Sequence, residues 1–187
     1  MGKRKADIIS DEMRQRLLAN RDGRIATDQW LDLVTEPLVI LLLLVVPLAV
    51  ILAPRFAFFA LSLRLPLILL VVLIALGLPT LIRARRYARA RIHFDVLYAD
   101  ERRHAPLLFW KPQRFETKDG RIVEFSRRLA PYMFYRPGYP YLVYYIEEPR
   151  GLVLLSVAPA DHPDAESWYP TKFFDLRNGV RADQTPA

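Results

Sequence analysis

The apolar and polar positions of this chain fall into three successive patterns. In the first, apolar residues recur every three or four positions. "SDEMRQRLLANRDG" (10–23) reads as a short helix: Ser10 is its N-cap, Asp11 and Glu12 suit its positive end, and Asn20 to Gly23 stop it. Met13, Leu17 and Leu18 form its apolar stripe. "TDQWLDLVTEP" (27–37) follows with Thr27 as a second cap and Trp30, Leu31 and Val34 on one face. In the second pattern, polar positions almost vanish. Residues 37–54, "PLVILLLLVVPLAVILAP", and 65–82, "LPLILLVVLIALGLPTLI", hold no charged side chain. Such a run spans roughly 27 Å as a helix, close to the hydrocarbon thickness of a bilayer. The pattern predicts two transmembrane helices joined by "RFAFFALSLR" (55–64), with two buried core helices as the alternative. Apart from Arg64 at one end, these runs offer no ionisable group for a proton relay or an ion ligand.

The third pattern has period two. "RIHFDVLY" (91–98) sets Ile92, Phe94, Val96 and Tyr98 against Arg91, His93 and Asp95, so a strand with the first set buried is expected. Four more strands are read in "PLLFWKPQRFE" (106–116), "RIVEFSR" (121–127), "YLVYYIE" (141–147) and "LVLLSV" (152–157). "KDG" (118–120) and "EPRG" (148–151) mark hairpin turns. The segment "RLAPYMFYRPGYP" (128–140) is too rich in Pro and Gly for regular structure. Five short strands joined by turns fit a small antiparallel barrel of SH3-like or OB-like type. The expected fold class is therefore a membrane α protein with a small all-β domain, a two-helix transmembrane hairpin followed by that barrel. Its expected divisions are an N-terminal cytosolic helical segment (1–34), the hairpin (35–82), a basic juxtamembrane segment (83–90), a cytosolic β-domain (91–170) and a C-terminal tail (171–187).

Charge adds an orientation. "LIRARRYARARIHF" (81–94) puts Arg83, Arg85, Arg86, Arg89 and Arg91 directly after the second apolar run, with no acidic residue among them. Residues 83–128 hold thirteen basic and six acidic side chains, an excess equal to the net charge of +7 for the whole chain. Basic flanks on both sides of the hairpin predict cytoplasmic termini and a multi-pass protein of a bacterial inner (plasma) membrane. The five arginines are then expected to contact anionic lipid headgroups at the cytosolic face. Nucleic-acid binding is the rival use of such a cluster.

Candidate chemistry is sparse. No cysteine is present, which excludes disulfides, thiolate metal sites and cysteine catalysis. No G-x-S-x-G, Walker loop or H-E-x-x-H motif occurs, and the chain is read as non-enzymatic, without cofactor or metal. His93, His104 and His162 are its histidines, and the acidic neighbours Asp161, Asp164 and Glu166 of His162 lack a calcium-loop spacing. The densest candidate is aromatic: Tyr132, Phe134, Tyr135, Arg136 and Tyr139, an expected interaction surface, with Tyr141, Tyr144 and Tyr145 just beyond. Rings beside arginine suit single-stranded nucleic acid. The simpler reading has half of them filling a barrel and the rest covering it.

"YLVYYIEEPRGLVLLS" (141–156) resembles a "Y-x-V-Y-Y … L-L-S" pattern of bacterial, Chloroflexota-like membrane proteins with two spans and a small C-terminal β-domain. The layout is similar to that of NfeD-like proteins, which carry an OB-like domain after their spans. Neither resemblance implies a named activity or a site residue. The expected function is that of a scaffold, accessory subunit or regulator acting through the β-domain on a protein partner or a second copy. A component of an oligomeric transporter or channel is the first alternative, and a membrane-tethered single-stranded nucleic-acid-binding module the second.

Overall fold

The computed structural model describes residues 9–35, 39, 43, 47, 64–100 and 113–178. The chain divides into two compact units, one of residues 1–26 with 90–187 and one of residues 27–89.

In the unit of residues 27–89, positions 27–35 are helical and bury Gln29, Leu33 and Val34. A further helix, here α2, spans Arg64–Ala88. Among the described residues no helix is long and apolar enough to cross a membrane. This corrects the transmembrane hairpin, and with it the inner-membrane, multi-pass placement with cytoplasmic termini that rested on two spans. The first run, 37–54, lies outside the described residues except at Val39, Leu43 and Pro47. The second run is no separate apolar rod. It is continuous with charge in a single helix that starts at Arg64, contains Pro79, and carries Arg83, Arg85 and Arg86 near its end.

The other unit is a closed barrel with helical cover. Helix α1 spans Asp11–Asn20, and Ser10 caps it by accepting a hydrogen bond from the Met13 amide at 3.2 Å. The strands are β1 (Ile92–Ala99), β2 (Gln113–Glu116), β3 (Ile122–Arg128), β4 (Pro140–Glu148) and β5 (Gly151–Pro159). They close in the order β1-β2-β3-β5-β4. The barrel part of the expected fold is compatible with this architecture. The all-antiparallel expectation is not, because β3 and β5 run parallel, pairing Phe125 with Leu152 and Arg128 with Leu154. This Greek-key closure is the OB-like member of the two barrel types. A 3₁₀ turn (Ala165–Trp168) and a helix α3 (Lys172–Asn178) follow the strands.

Register decides which side chains face inward, since directly opposed residues share a face. Leu97 opposes Tyr141, and Ala99 opposes Phe115. Phe115 meets Tyr141 edge-on at 6.3 Å, and Phe125 meets Tyr145 at 5.7 Å, so this set lines the interior. The alternate set, expected to be buried, is divided: Ile92 is buried, Phe94 half-buried and Val96 exposed. Ile92, Phe94 and Val96 oppose Ile146, Tyr144 and Leu142 on the outer face. That outer face is itself covered: Phe94 contacts Tyr144 at 5.0 Å and Tyr169 at 5.7 Å, and Tyr144 meets Phe174 of α3. The Tyr144 hydroxyl donates to the Trp168 carbonyl at 2.6 Å. Strand β5 is buried from Val153 to Pro159 because α1 packs on it. Asn20 of α1, fully buried, accepts from the Ser156 hydroxyl at 2.7 Å. The uninterrupted apolar text "LVLLSV" is thus a strand with both faces covered.

Candidate functional site

Among the described residues, the connection from β3 to β4 combines a braced backbone with exposed rings. Its residues 129–139 have no regular structure, and they follow an alternation of their own. Met133 is buried and Tyr135 half-buried, while Tyr132 and Phe134 are 68% and 57% exposed. An extended backbone with period two makes this division, sending alternate side chains to opposite sides.

The inward side is a plug. The Tyr135 ring meets Phe115 at 5.3 Å and Tyr141 at 5.2 Å, both edge-on, closing one end of the barrel. Its hydroxyl is buried beside Gln113. Burial pushes the Tyr135 pKa up to about 12, against a smaller opposing pull from Arg128. The downstream end is braced. The Arg136 amide donates to the Tyr141 hydroxyl at 2.7 Å, and its guanidinium grips both Asp161 oxygens at 2.7 and 2.8 Å. That guanidinium also lies 4.1 Å from the centre of the Tyr139 ring. The upstream end is held by Arg16 of α1, which donates to the Leu129 carbonyl, and by Leu129 N–H to Leu154 O at 2.8 Å.

The outward side is the candidate surface. Tyr132 and Phe134 form an edge-to-face pair with centroids 5.3 Å apart. Arg128, from the end of β3, lies 5.2 Å from the Tyr132 ring centre and 5.9 Å from that of Tyr135. Its Nε donates to the Ala130 carbonyl at 2.8 Å, and a terminal nitrogen donates to Pro131. Tyr139 adds a third ring, 43% exposed. Of the five expected interaction residues, the structure therefore presents Tyr132, Phe134 and Tyr139, and turns Tyr135 and Arg136 into the plug and the brace. Arg128 was missed. It opens the aromatic segment, four residues before Tyr132, and the fold of the β3–β4 connection sets it beside the rings.

The arginine comb is distributed differently. Arg85 and Arg86 lie in the last turn of α2, where positive charge suits the negative helix end, with Arg83 half-buried just before them. Arg89 follows the helix and Arg91 precedes β1, both exposed. The headgroup role assigned to these five residues depended on the two corrected spans.

Two other polar groupings satisfy themselves. His93, expected to point outward, shares the face of Leu97 at the opposite barrel mouth, stacks on Tyr145 at 5.3 Å and lies 3.9 Å from Glu147. The Tyr145 hydroxyl donates to Asp95 at 2.6 Å. His162 packs on Trp168 at 4.8 Å and accepts from the Asp164 amide at 3.1 Å. Among the described residues no group of three or more His, Cys, Asp or Glu could hold a metal ion. His104 lies outside the described residues. An open groove of about 580 Å³ runs between the end of β1, the β2–β3 turn and Gly138, with Asp100, Glu116 and Lys118 on its walls. Its lining mixes charges without a convergent set.

Burial raises the pKa values of Tyr141, Tyr144 and Tyr145 as well as Tyr135, and the Asp95 carboxylate adds to the effect at Tyr145. An unfolded tyrosine ionises near pH 10. Above that pH the unfolded chain has lost protons that the folded chain retains, so stability falls as pH rises. The contribution of Tyr135 is complete below pH 10 and is lost at about 1.4 kcal/mol per pH unit up to about pH 12. A spectrophotometric titration should therefore show four of the nine tyrosines silent until the fold opens in alkali. A smooth ionisation of all nine near pH 10, with the fold intact, would contradict this packing.

No protein-family model, curated protein or solved structure matches this chain.

Proposed function

We propose that the barrel unit is a non-catalytic protein-binding module that meets its partner through Tyr132, Phe134 and Tyr139. One observation carries the reading: three large rings stand exposed on a backbone pinned from below by Tyr135 and at its end by the Arg136–Asp161 pair. Tyrosine and phenylalanine anchors of this kind contribute much of the affinity in protein interfaces. Anchors that are already ordered lose little entropy on binding, which leaves more of their contact energy as affinity.

The nucleic-acid alternative has less support. OB-like barrels bind oligonucleotides across strands 2 and 3. Here Arg114, Glu116, Ile122, Glu124 and Ser126 are the exposed positions of those strands, and none carries an aromatic ring. Arg114 is engaged with Glu124 at 3.6 Å. The Tyr132–Phe134 pair is nearly perpendicular, at 84°, so it does not present two parallel faces to successive bases.

The test is selection of a random peptide display library on the full chain, followed by affinity measurements on the recovered peptides. A joint Tyr132→Ala, Phe134→Ala variant should bind them at least about thirtyfold more weakly, the size of one lost hot spot. Glu124→Ala, on the β2–β3 face, should leave them unchanged. Peptides indifferent to the ring variant but lost with Glu124→Ala would move the site to the sheet face and end this reading.

A further inference from the structure

We propose that the segment recognised by this surface is acidic, and that Arg128 is the residue that reads its carboxylates. The inference rests on the protein-binding reading above and names the chemistry of the partner.

Two arginines flank the same connection and differ in their partners. Arg136 is neutralised: its guanidinium holds both oxygens of Asp161. Arg128 is oriented without being neutralised. Its two hydrogen bonds go to the backbone carbonyls of Ala130 and Pro131, and no carboxylate pairs with it among the described residues. Carbonyl acceptors and two flanking rings fix the guanidinium plane but leave its full charge. A guanidinium has five N–H donors, so three remain for a ligand. A planar donor edge held in place matches a carboxylate in a two-point geometry, which an ammonium group does not reproduce. The surrounding rings lower the local dielectric and strengthen such a contact. Tyr132, against which Arg128 lies, is also the most exposed of the ring anchors. An acidic side chain on a partner peptide therefore reaches Arg128 while its apolar neighbours cover Tyr132 and Phe134.

A phosphate of single-stranded nucleic acid could use the same edge. The perpendicular ring pair and the ring-free β2–β3 face favour the peptide.

The charge pattern of selected peptides tests this. Selections are run in parallel on the full chain as wild type, Arg128→Gln, Arg128→Lys and the Tyr132→Ala, Phe134→Ala variant, at about 0.15 M salt. Wild type should enrich Asp and Glu next to aromatic or proline positions. Arg128→Gln should keep the apolar preference and lose the acidic one, and should bind the wild-type peptides at least about tenfold more weakly. Arg128→Lys should recover only part of that loss and so separates geometry from charge. Thermal midpoints of all variants show whether the connection has kept its fold. Failure of wild type to enrich acidic residues overturns the inference, as does equal enrichment by Arg128→Gln. If apolar enrichment still disappears in the ring variant, the protein-binding reading survives that failure. A random single-stranded oligonucleotide is measured alongside. Tight binding of it at this salt, abolished in the ring variant, overturns both readings in favour of nucleic acid.

Discussion

Replacing Phe115 by Ala should cost about 3–5 kcal/mol of stability, the range for deleting a buried aromatic ring. Phe115 is fully buried and is the hub of the interior: Phe125, Tyr135 and Tyr141 all meet it edge-on, at 5.7, 5.3 and 6.3 Å. Removing the ring leaves a cavity bounded by three large side chains that cannot all move into it. A domain typically has about 5–15 kcal/mol in total, so much of the margin would go. The measurement is urea unfolding followed by circular dichroism. Phe173→Ala is the control, because Phe173 is 67% exposed on α3 and its loss should stay within about 0.5 kcal/mol. A second consequence follows from the position of Tyr135. Phe115 supports the plug, so Phe115→Ala should weaken peptide binding even where the barrel remains folded. Equal unfolding midpoints for Phe115→Ala and Phe173→Ala would show that Phe115 is not the centre of the core.

Gly151→Ala should cost about 2–4 kcal/mol, through two separable effects. Gly151 starts β5 with φ at +130°, a conformation that residues with a side chain rarely adopt. An added Cβ would also stand 2.7 Å from Ser126 Oγ and 3.0 Å from Ser126 Cβ. Ser126 Oγ now donates to the Leu152 carbonyl at 3.1 Å, and the new methyl group would push it off. The position matters because β3 and β5 form their parallel pair here, with a register shift between Phe125 and Arg127. Combining Gly151→Ala with Ser126→Gly should remove the collision and leave the backbone strain. The double variant should recover part of the loss relative to Ser126→Gly alone, and not all of it. Full recovery would mean that the positive φ carries no cost, and no recovery would mean that the collision is absent.

Local text was sufficient wherever neighbours in sequence are neighbours in space. Strands β1, β3, β4 and β5 were legible from apolar and alternating runs, two pairs of elements being set off by "KDG" and "EPRG", because a hairpin joins segments that the chain itself brings together; β2 spans Gln113–Glu116, and residues 106–112 of its expected run lie outside the described residues. The cap at Ser10 was legible for the same reason, since its partner amide is three residues away. The aromatic connection could be recognised from composition alone, but not its division of labour. Tyr132 and Tyr135 have similar side chains and similar neighbours in sequence. What separates them is that one faces solvent and the other meets Phe115, a residue twenty positions upstream.

Two limits of sequence reading are visible in particular residues. Alternation in β1 shows that Ile92, Phe94 and Val96 share a face, but not whether that face looks into the barrel or out of it. A strand with helices over its outer side has two places to bury apolar residues, and in this protein Phe94 lies under the C-terminal cover with Tyr169. The apolar runs posed the second limit. Charge-free letters suggested membrane spans, yet among the described residues no helix is long and apolar enough for one. In α2 the apolar stretch is continuous with Arg83, Arg85 and Arg86, and a run of letters does not state where its helix begins and ends.

By itself the sequence determined the elements: a capped N-terminal helix, five short strands, their turns, and an arginine- and tyrosine-rich connection. The tertiary structure alone decided the parallel β3–β5 closure, the side of each strand that faces inward, and the placing of α1 on β5. It also decided that Arg128 stands beside Tyr132 with no carboxylate paired to it among the described residues, while Arg136 is spent on Asp161. The physical reason is range. Capping, turn formation and alternation act over a few residues, whereas burial and ion pairing are settled by partners that only chain closure brings within reach.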